Sequence, residues 1–252
     1  MTGPGELTVA TYNIHRCVGL DRRRDPERIA RVIAELAVDL VGLQEVDARH
    51  GIRRTPDQFE FFAKAIGGNA IRGPNIRGPR GEMGNALITR HPVIEARLLD
   101  LSLPGHEPRG AIDADIDVNG LALRVIVAHL GLRVAERRLQ VARLVSAIEG
   151  TPDRQVVVMG DFNEWHLHRS TLMPLDTKLG HSTPVPSFPA RFPFLSLVRI
   201  WAGPDGAVSG IRVHRTPLAR RASDHLPVRA QIRWHLPLPE AARARAEADT
   251  AG

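Results

Sequence analysis

Apolar positions along the chain follow two rhythms, a continuous or alternating one typical of strands and a three-to-four spacing typical of helices. "ELTVATYNI" (6–14) predicts a first strand. "DPERIARVIAELAV" (25–38) predicts a helix with Asp25 as its N-cap, Pro26 at the first position, and Ile29, Val32, Ile33 and Leu36 on one apolar face. "DLVGLQEV" (39–46) follows as a buried strand, and "TPDQFEFFAKAIGG" (55–68) repeats the helical grammar, with Thr55 as cap, Pro56 as first residue, and Gly67 and Gly68 as the stop. Residues 68–84 carry so many Gly and Pro that they predict a mobile loop beside a site. In "AIDADIDVNGLALRVIVAHL" (111–130), Asn119-Gly120 joins two strands in a tight hairpin. Its Asp113, Asp115 and Asp117 alternate with Ile112, Ala114, Ile116 and Val118, which predicts a solvated strand face rather than a metal cluster. "VAERRLQVARLVSAIEG" (134–150) is an amphipathic helix closed by Gly150, and "QVVVMGDF", "IRVHRT" and "LPVRAQIRW" are later strands. Strand pairs and helices alternate without the regular rhythm of a fully parallel sheet, so layered sheets faced by helices are expected. No linker divides the pattern; one domain over 1–236 and a loosely attached tail over 237–252 are the simplest organisation.

With 252 residues and 43% hydrophobic content, the chain can bury a substantial core. The single cysteine, Cys17, excludes an intramolecular disulfide and a Cys-rich zinc site. No secretory-signal pattern and no apolar run of about 18 residues is present, which predicts a soluble cytoplasmic protein without a transmembrane segment, and a monomer is expected. A net charge of +6 suits a phosphate-bearing partner, but the cations are scattered arginines with only Lys64 and Lys178 beside them, and a solvated basic surface explains them equally well. Arg72, Arg77 and Arg80 are open to the same two explanations.

Polar residues change the picture through their position. Apolar strands end four times in ionisable or amide side chains: Asn13 and His15, then Glu45, then His129, then Asp161 and Asn163. A charge in buried sequence is costly unless paired or metal-bound, and strand ends on one edge converge, so a shared site is the leading expectation. Glu45, Asn13 and one of the aspartates offer the oxygen ligands that a hard cation such as Mg²⁺ takes. Asp161 is placed to orient and deprotonate a water, while Asn163 and the histidines donate hydrogen bonds to a phosphoryl transition state.

"TYNIH", "LQEV", "GNALITRHP", "VAHLGL", "MGDFN" and "SDHLPV" occur in the order found in the endonuclease/exonuclease/phosphatase superfamily, the DNase I-like fold, which this chain resembles over about residues 7–233. The resemblance implies an α/β protein, a four-layer α/β/β/α sandwich of two packed mixed sheets flanked by helices. It also implies Mg²⁺- or Mn²⁺-dependent hydrolysis of a phosphate ester, whether in nucleic acid, a phospholipid headgroup or a small molecule. On this chain Glu45 resembles the principal metal ligand, assisted by Asn13 and Asp224; Asp161 resembles the residue that activates water, and Asn163 a phosphate-binding side chain. His129 and His225 resemble the pair that grips the scissile phosphate, and Asn85 and Arg109 match substrate-binding positions nearby.

One departure stands out. In the family an aspartate in a Leu-Asp-x-Ile segment orients the last histidine, and in "FPARFPFLSLVRIW" (188–201) that position is Val198. A valine accepts no hydrogen bond, so His225 loses the support that fixes its tautomer. Three readings stay open: another acceptor orients the ring, the enzyme is weakened, or the chain is a catalytically impaired relative that binds phosphate or nucleic acid. Aromatics make up 4% of the chain and Tyr12 is the only tyrosine, a poor supply of stacking platforms for single strands. Trp201 and Trp234 are expected in the core, whereas Trp165, directly after "DFNE", is expected at the border of the site.

Overall fold

A computed structural model describes residues 5–48, 57–150, 155–165, 171–203 and 206–234. Its first half runs β1 (Gly5–Asn13), α1 (Pro26–Leu36), β2 (Leu40–Asp47), α2 (Gln58–Ile66), β3 (Asn69–Gly78), β4 (Gly81–Thr89) and β5 (Val93–Asp100). The second half runs β6 (Gly110–Val118), β7 (Leu121–His129), α3 (Val134–Glu149), β8 (Val156–Asp161), α4 (Met173–Leu179), β9 (Val198–Gly203), β10 (Gly206–Val213), α5 (Pro217–Ala222) and β11 (Val228–Trp234). One sheet has the order β10-β11-β1-β2-β4-β3 and the other β5-β6-β7-β8-β9.

The strands are apolar on both faces because both faces are covered. Val9 and Leu40 point inward to meet Ile112, Val127 and Met159 of the opposite sheet. Their neighbours Ala10 and Val41 point outward and pack beneath Ile29, Val32, Ile33 and Leu36 of α1 and Phe59 and Phe62 of α2. On the far side, Ile126 and Val158 lie under Val141 and Leu144 of α3 and Leu175 of α4. The result is the expected α/β/β/α sandwich. Gly42 marks how closely the sheets approach: a Cβ there would stand 2.9 Å from both γ-carbons of Val127.

Each sheet carries one parallel pair joined across a helix, β1–α1–β2 and β7–α3–β8. The α1 start is as the sequence predicts, with the Asp25 side chain accepting from Arg28 N. The hairpin turn also holds: Asn119 and Gly120 have φ of 56° and 87°, the left-handed pair that a tight hairpin needs.

Three expectations need correcting, and some elements were not expected at all. Residues 69–89 form the β3–β4 hairpin rather than a loop. Pro74 is tolerated because β3 is an edge strand with no partner to receive its missing N–H, and the ladder absorbs Asn75 as a bulge between Pro74 and Ile76. Second, α2 is capped by Asp57, whose side chain accepts from Phe59 N, while Thr55 and Pro56 lie outside the described residues. Third, Asp113 and Asp115 are not solvated: both are buried, with Asp113 held by Arg124 at 2.7 Å and Asp115 by Arg97 at 3.0 Å. Alternation identified the outward face of β6 but not that arginines from neighbouring strands close over it. Finally, β5 went unpredicted because it is an edge strand with mostly exposed side chains and no clean alternation. The predicted tail lies outside the described residues, as does the side chain of Trp234. Among the described residues no helix is long and apolar enough to cross a membrane.

Candidate active site

The two parallel pairs bring four C-terminal strand ends to one edge of the sandwich: Asn13 beside Gln44, and His129 beside Asp161. This is where ligands bind in α/β sheets, because the chain leaves the sheet there and side chains are freed from packing. A cavity of about 380 Å³ opens at this edge, and every site residue predicted from sequence except Asn85 lines it.

Asn13 staples the two sheets together. Its amide nitrogen donates to Glu45 Oε1 at 3.1 Å and to Asp161 Oδ2 at 3.0 Å, while its carbonyl oxygen accepts from His15 N. Glu45 sits where the β2–β4 register slips between Leu43 and Val46, and its φ of 59° is a left-handed conformation that a side chain rarely adopts. Such a backbone costs about 1–3 kcal/mol and persists only where its surroundings impose it. Here it turns the carboxylate into the cavity, where Arg16 Nε comes within 3.8 Å. Asn163 is also left-handed, with φ of 50°; its N–H donates to Asp161 Oδ1 and its amide nitrogen to Leu130 O.

Asp161 is 1% exposed, with His225 Nε2 at 3.7 Å and His129 Nε2 at 3.9 Å. Burial opposes its charge, but the imidazoles of His225 and His129 and the hydrogen bonds from Asn13 and Asn163 outweigh it, holding the carboxyl below the usual carboxylate range. For His129 burial is the largest influence and pushes its pKa down; Asp161 opposes and Arg109 adds to the effect. The neutral ring has a definite tautomer. Arg109 Nη1 lies 3.3 Å from His129 Nδ1, and a guanidinium only donates, so Nδ1 accepts and Nε2 carries its proton toward Asp161.

His225 is held differently. Its N–H donates to Ser223 Oγ, and the Phe188 ring packs against the imidazole with centroids 4.6 Å apart. Its Nδ1 is buried and finds no hydrogen-bond partner among the described residues. Val198 is fully buried in the apolar layer between the sheets, directly across from Asp161 on β9. As the sequence indicates, no acceptor stands at that position, and among the described residues packing rather than a replacement holds the ring.

Asp224, a third exposed, lies 3.6 Å from His15 Nδ1 on the cavity rim. Asn85 is buried behind the cavity and donates to Gly110 O, the residue after Arg109. Its Oδ1 and Arg109 Nε are both buried without a partner among the described residues. Three contributors escaped the sequence reading. Phe188 carries no signal of its own in a Pro-rich stretch, and Arg16 looks like any surface arginine. Arg137 looks like a surface position of α3, yet it is fully buried, donates to Leu132 O and Glu164 Oε1, and places its guanidinium 5.8 Å from the Trp165 ring centroid. It ties the loop after β7 to the loop after β8. Trp165 is 44% exposed at the cavity mouth, as expected.

Among the described residues no group of three or more His, Cys, Asp or Glu side chains forms a closed cage for an ion. Mg²⁺ does not need one, since it keeps several waters and takes one or two carboxylates. Glu45, aimed into the cavity from a strained backbone and about one-fifth exposed, is a donor of that kind.

The uncharacterized protein YbhP of Escherichia coli is 33% identical to this chain over 245 residues, covering 89% of the chain and 95% of YbhP. Among solved structures, an endonuclease/exonuclease/phosphatase from Beutenbergia cavernae superposes with a TM-score of 0.76 at 24% identity, covering 91% of this chain and 72% of that one. The mannosyl-6-phosphatase Bt3783 of Bacteroides thetaiotaomicron superposes with a TM-score of 0.69 at 18% identity, covering 90% and 99% respectively. The model of the Endonuclease/Exonuclease/phosphatase family matches residues 10–225, and the chain belongs to that family of phosphoester hydrolases.

Proposed function

We propose that this chain hydrolyses phosphate esters with the help of a divalent cation, Mg²⁺ or Mn²⁺, in the cavity at the edge of the two sheets. The observation that carries the reading is Asp161: a buried, ionised carboxylate held by two imidazoles, an amide and a backbone N–H, with no arginine bonded to it among the described residues. Glu45 is the cation's main ligand, with Asn13 and Asp224 assisting. The cation, when bound, polarises the phosphoryl group and offsets charge on the leaving oxygen. Asp161 orients a water and takes its proton as the water oxygen bonds to phosphorus and the ester P–O bond breaks; the leaving oxygen takes a proton from solvent. His129 donates from Nε2 to a phosphoryl oxygen, and Arg109 both fixes that tautomer and adds positive charge beside it. Asn163 holds Asp161 through its N–H and borders the phosphate. The phosphatase activity named for Bt3783 supports a phosphomonoester as one substrate class.

His225 grips the phosphate with weaker support, because its Nδ1 has no acceptor among the described residues. That single observation favours a slow enzyme, with a phosphate-binding relative as the second reading. The test is release of p-nitrophenol from bis-p-nitrophenyl phosphate and p-nitrophenyl phosphate with Mg²⁺, Mn²⁺ or chelator. Metal-dependent turnover that falls by about 10³-fold in Asp161→Ala is expected. Val198→Asp is expected to raise kcat about tenfold if the missing acceptor limits the rate. Turnover that survives in Asp161→Ala, or an inert wild type with phosphate affinity alone, rejects the enzymatic reading.

A further inference from the structure

A second cleft, of about 260 Å³, adjoins the first on the same edge of the sandwich, and Arg109 lines both. It lies between the edge strands β3 and β5 and the start of β6. The ladder fixes its distance from the chemistry: Asp100 pairs with Gly110, which pairs with His129, so the cleft stands one to two strand spacings, about 5–10 Å, from the phosphate-gripping histidine.

The cleft is built rather than incidental. Asn75 is the bulged residue of β3, and bulges re-aim side chains next to active sites. Its amide crosses from one sheet to the other, where a Cβ on Gly110 would sit only 2.6 Å from Asn75 Oδ1. Gly84 permits the bulge, since a Cβ there would lie 2.2 Å from Gly73 O and 2.7 Å from Asn75 N. On the far wall, Ser102 N donates to Asp100 Oδ1, and Arg143 Nη1 clamps this loop by donating to the carbonyls of Asp100 and Ser102. Ser102 Oγ closes onto both backbone groups of Arg109. Arg109 is more than nine-tenths buried, and its Nε has no partner among the described residues.

The chemistry of the walls is mixed and close-set. The Asn75 amide donates and accepts, the exposed Arg77 donates, and the Asp100 carboxylate accepts, with Leu98 beside them. Hydroxyl groups donate and accept at once, so neighbouring hydroxyls on an aliphatic ring suit such a wall. None of the described residues lining the cleft is aromatic, so a nucleobase finds no stacking surface among them.

We propose that this cleft binds the group that carries the phosphate, and that it selects a polyhydroxylated group, a sugar or polyol, over a nucleoside. The inference rests on the phosphoester reading above. Its test is calorimetric binding to the full chain bearing Asp161→Ala, in Mg²⁺, of glucose 6-phosphate, myo-inositol 1-phosphate, adenosine 5′-monophosphate and inorganic phosphate. At least one of the two polyol phosphates is expected to bind ten times more tightly than inorganic phosphate and than the nucleotide. Adding Asn75→Ala is expected to weaken that binding at least fivefold while inorganic phosphate moves less than twofold. Arg77→Ala, on an exposed side chain whose ion pair with Glu82 at 3.5 Å is of the surface kind that adds little to stability, should weaken it in the same direction. Polyol phosphates that bind no better than inorganic phosphate, a nucleotide that matches them, or insensitivity to both substitutions overturns the inference. Loss of the phosphoester reading shows instead as a wild type that releases no inorganic phosphate from any of these esters with Mg²⁺ or Mn²⁺, whichever of them the cleft prefers.

Discussion

Asp113 and Asp161 are both 1% exposed, both on strands of the same sheet, and both held below the usual carboxylate range, yet they are kept ionised by opposite means. Arg124 grips Asp113 with Nε at 2.8 Å and Nη2 at 2.7 Å, and Arg97 adds Nη2 at 3.2 Å and Nε at 3.4 Å. Around Asp161, among the described residues, there is no guanidinium; an asparagine amide, a backbone N–H and two imidazoles at 3.7 and 3.9 Å do the work. Two full positive charges leave Asp113 with nothing to offer a ligand. Imidazoles, an amide and a backbone N–H leave Asp161 charged and still able to accept a proton. A buried carboxylate saturated by arginine is structural; one held by imidazoles and amides at a cavity floor is available for chemistry.

The difference predicts a double dissociation. Asp161→Asn should lower kcat by about 10³-fold, near 4 kcal/mol of barrier, while leaving the unfolding free energy within about 1 kcal/mol, since functional carboxylates are seldom optimal for stability. Asp113→Asn should do the reverse. It takes from Arg124, 4% exposed, the full negative charge that its Nε and Nη2 now grip, and should cost about 3 kcal/mol in urea unfolding, with kcat within about twofold wherever the protein remains folded. Unfolding of Asp161→Asn, or inactivity of a folded Asp113→Asn, would break the contrast.

The same pair shows what was legible in the sequence. Asp161 was readable because it ends an apolar run, as Asn13, Glu45 and His129 do, and in a layered α/β fold the ends of strands converge. Asp113 was misread because the period of two reveals which face a residue takes, not what covers that face; Arg97 and Arg124 come from strands that pair only in three dimensions. The 69–89 hairpin was missed for a related reason. Gly and Pro are strand breakers in isolation, but an edge position and a bulge remove their penalty. Site residues that act through neighbours, such as Phe188 on His225 and Arg137 beneath Trp165, left no trace because neither spacing nor residue type distinguishes them from ordinary core or surface.

Acid should expose what the two carboxylates share. For Asp113 burial opposes ionisation, and the bonds from Arg124 and Arg97 more than offset it, so its folded pKa lies below the unfolded value near 3.9. A group lowered in this way contributes stability above its unfolded pKa and loses it as pH falls through the folded value. Asp161, also lowered, follows the same sign. Each unit of such lowering is worth about 1.4 kcal/mol, a smaller effect than either substitution above. Urea unfolding between pH 5 and about 2, with chelator present, should show stability falling steeply in the wild type. The slope, not the absolute stability, should flatten in both Asp113→Asn and Asp161→Asn, because each removes one proton-binding group that differs between folded and unfolded states. A slope unchanged in Asp161→Asn alone would mean that its imidazole and amide neighbours do not hold it ionised, and the two carboxylates would differ in charge as well as in partners.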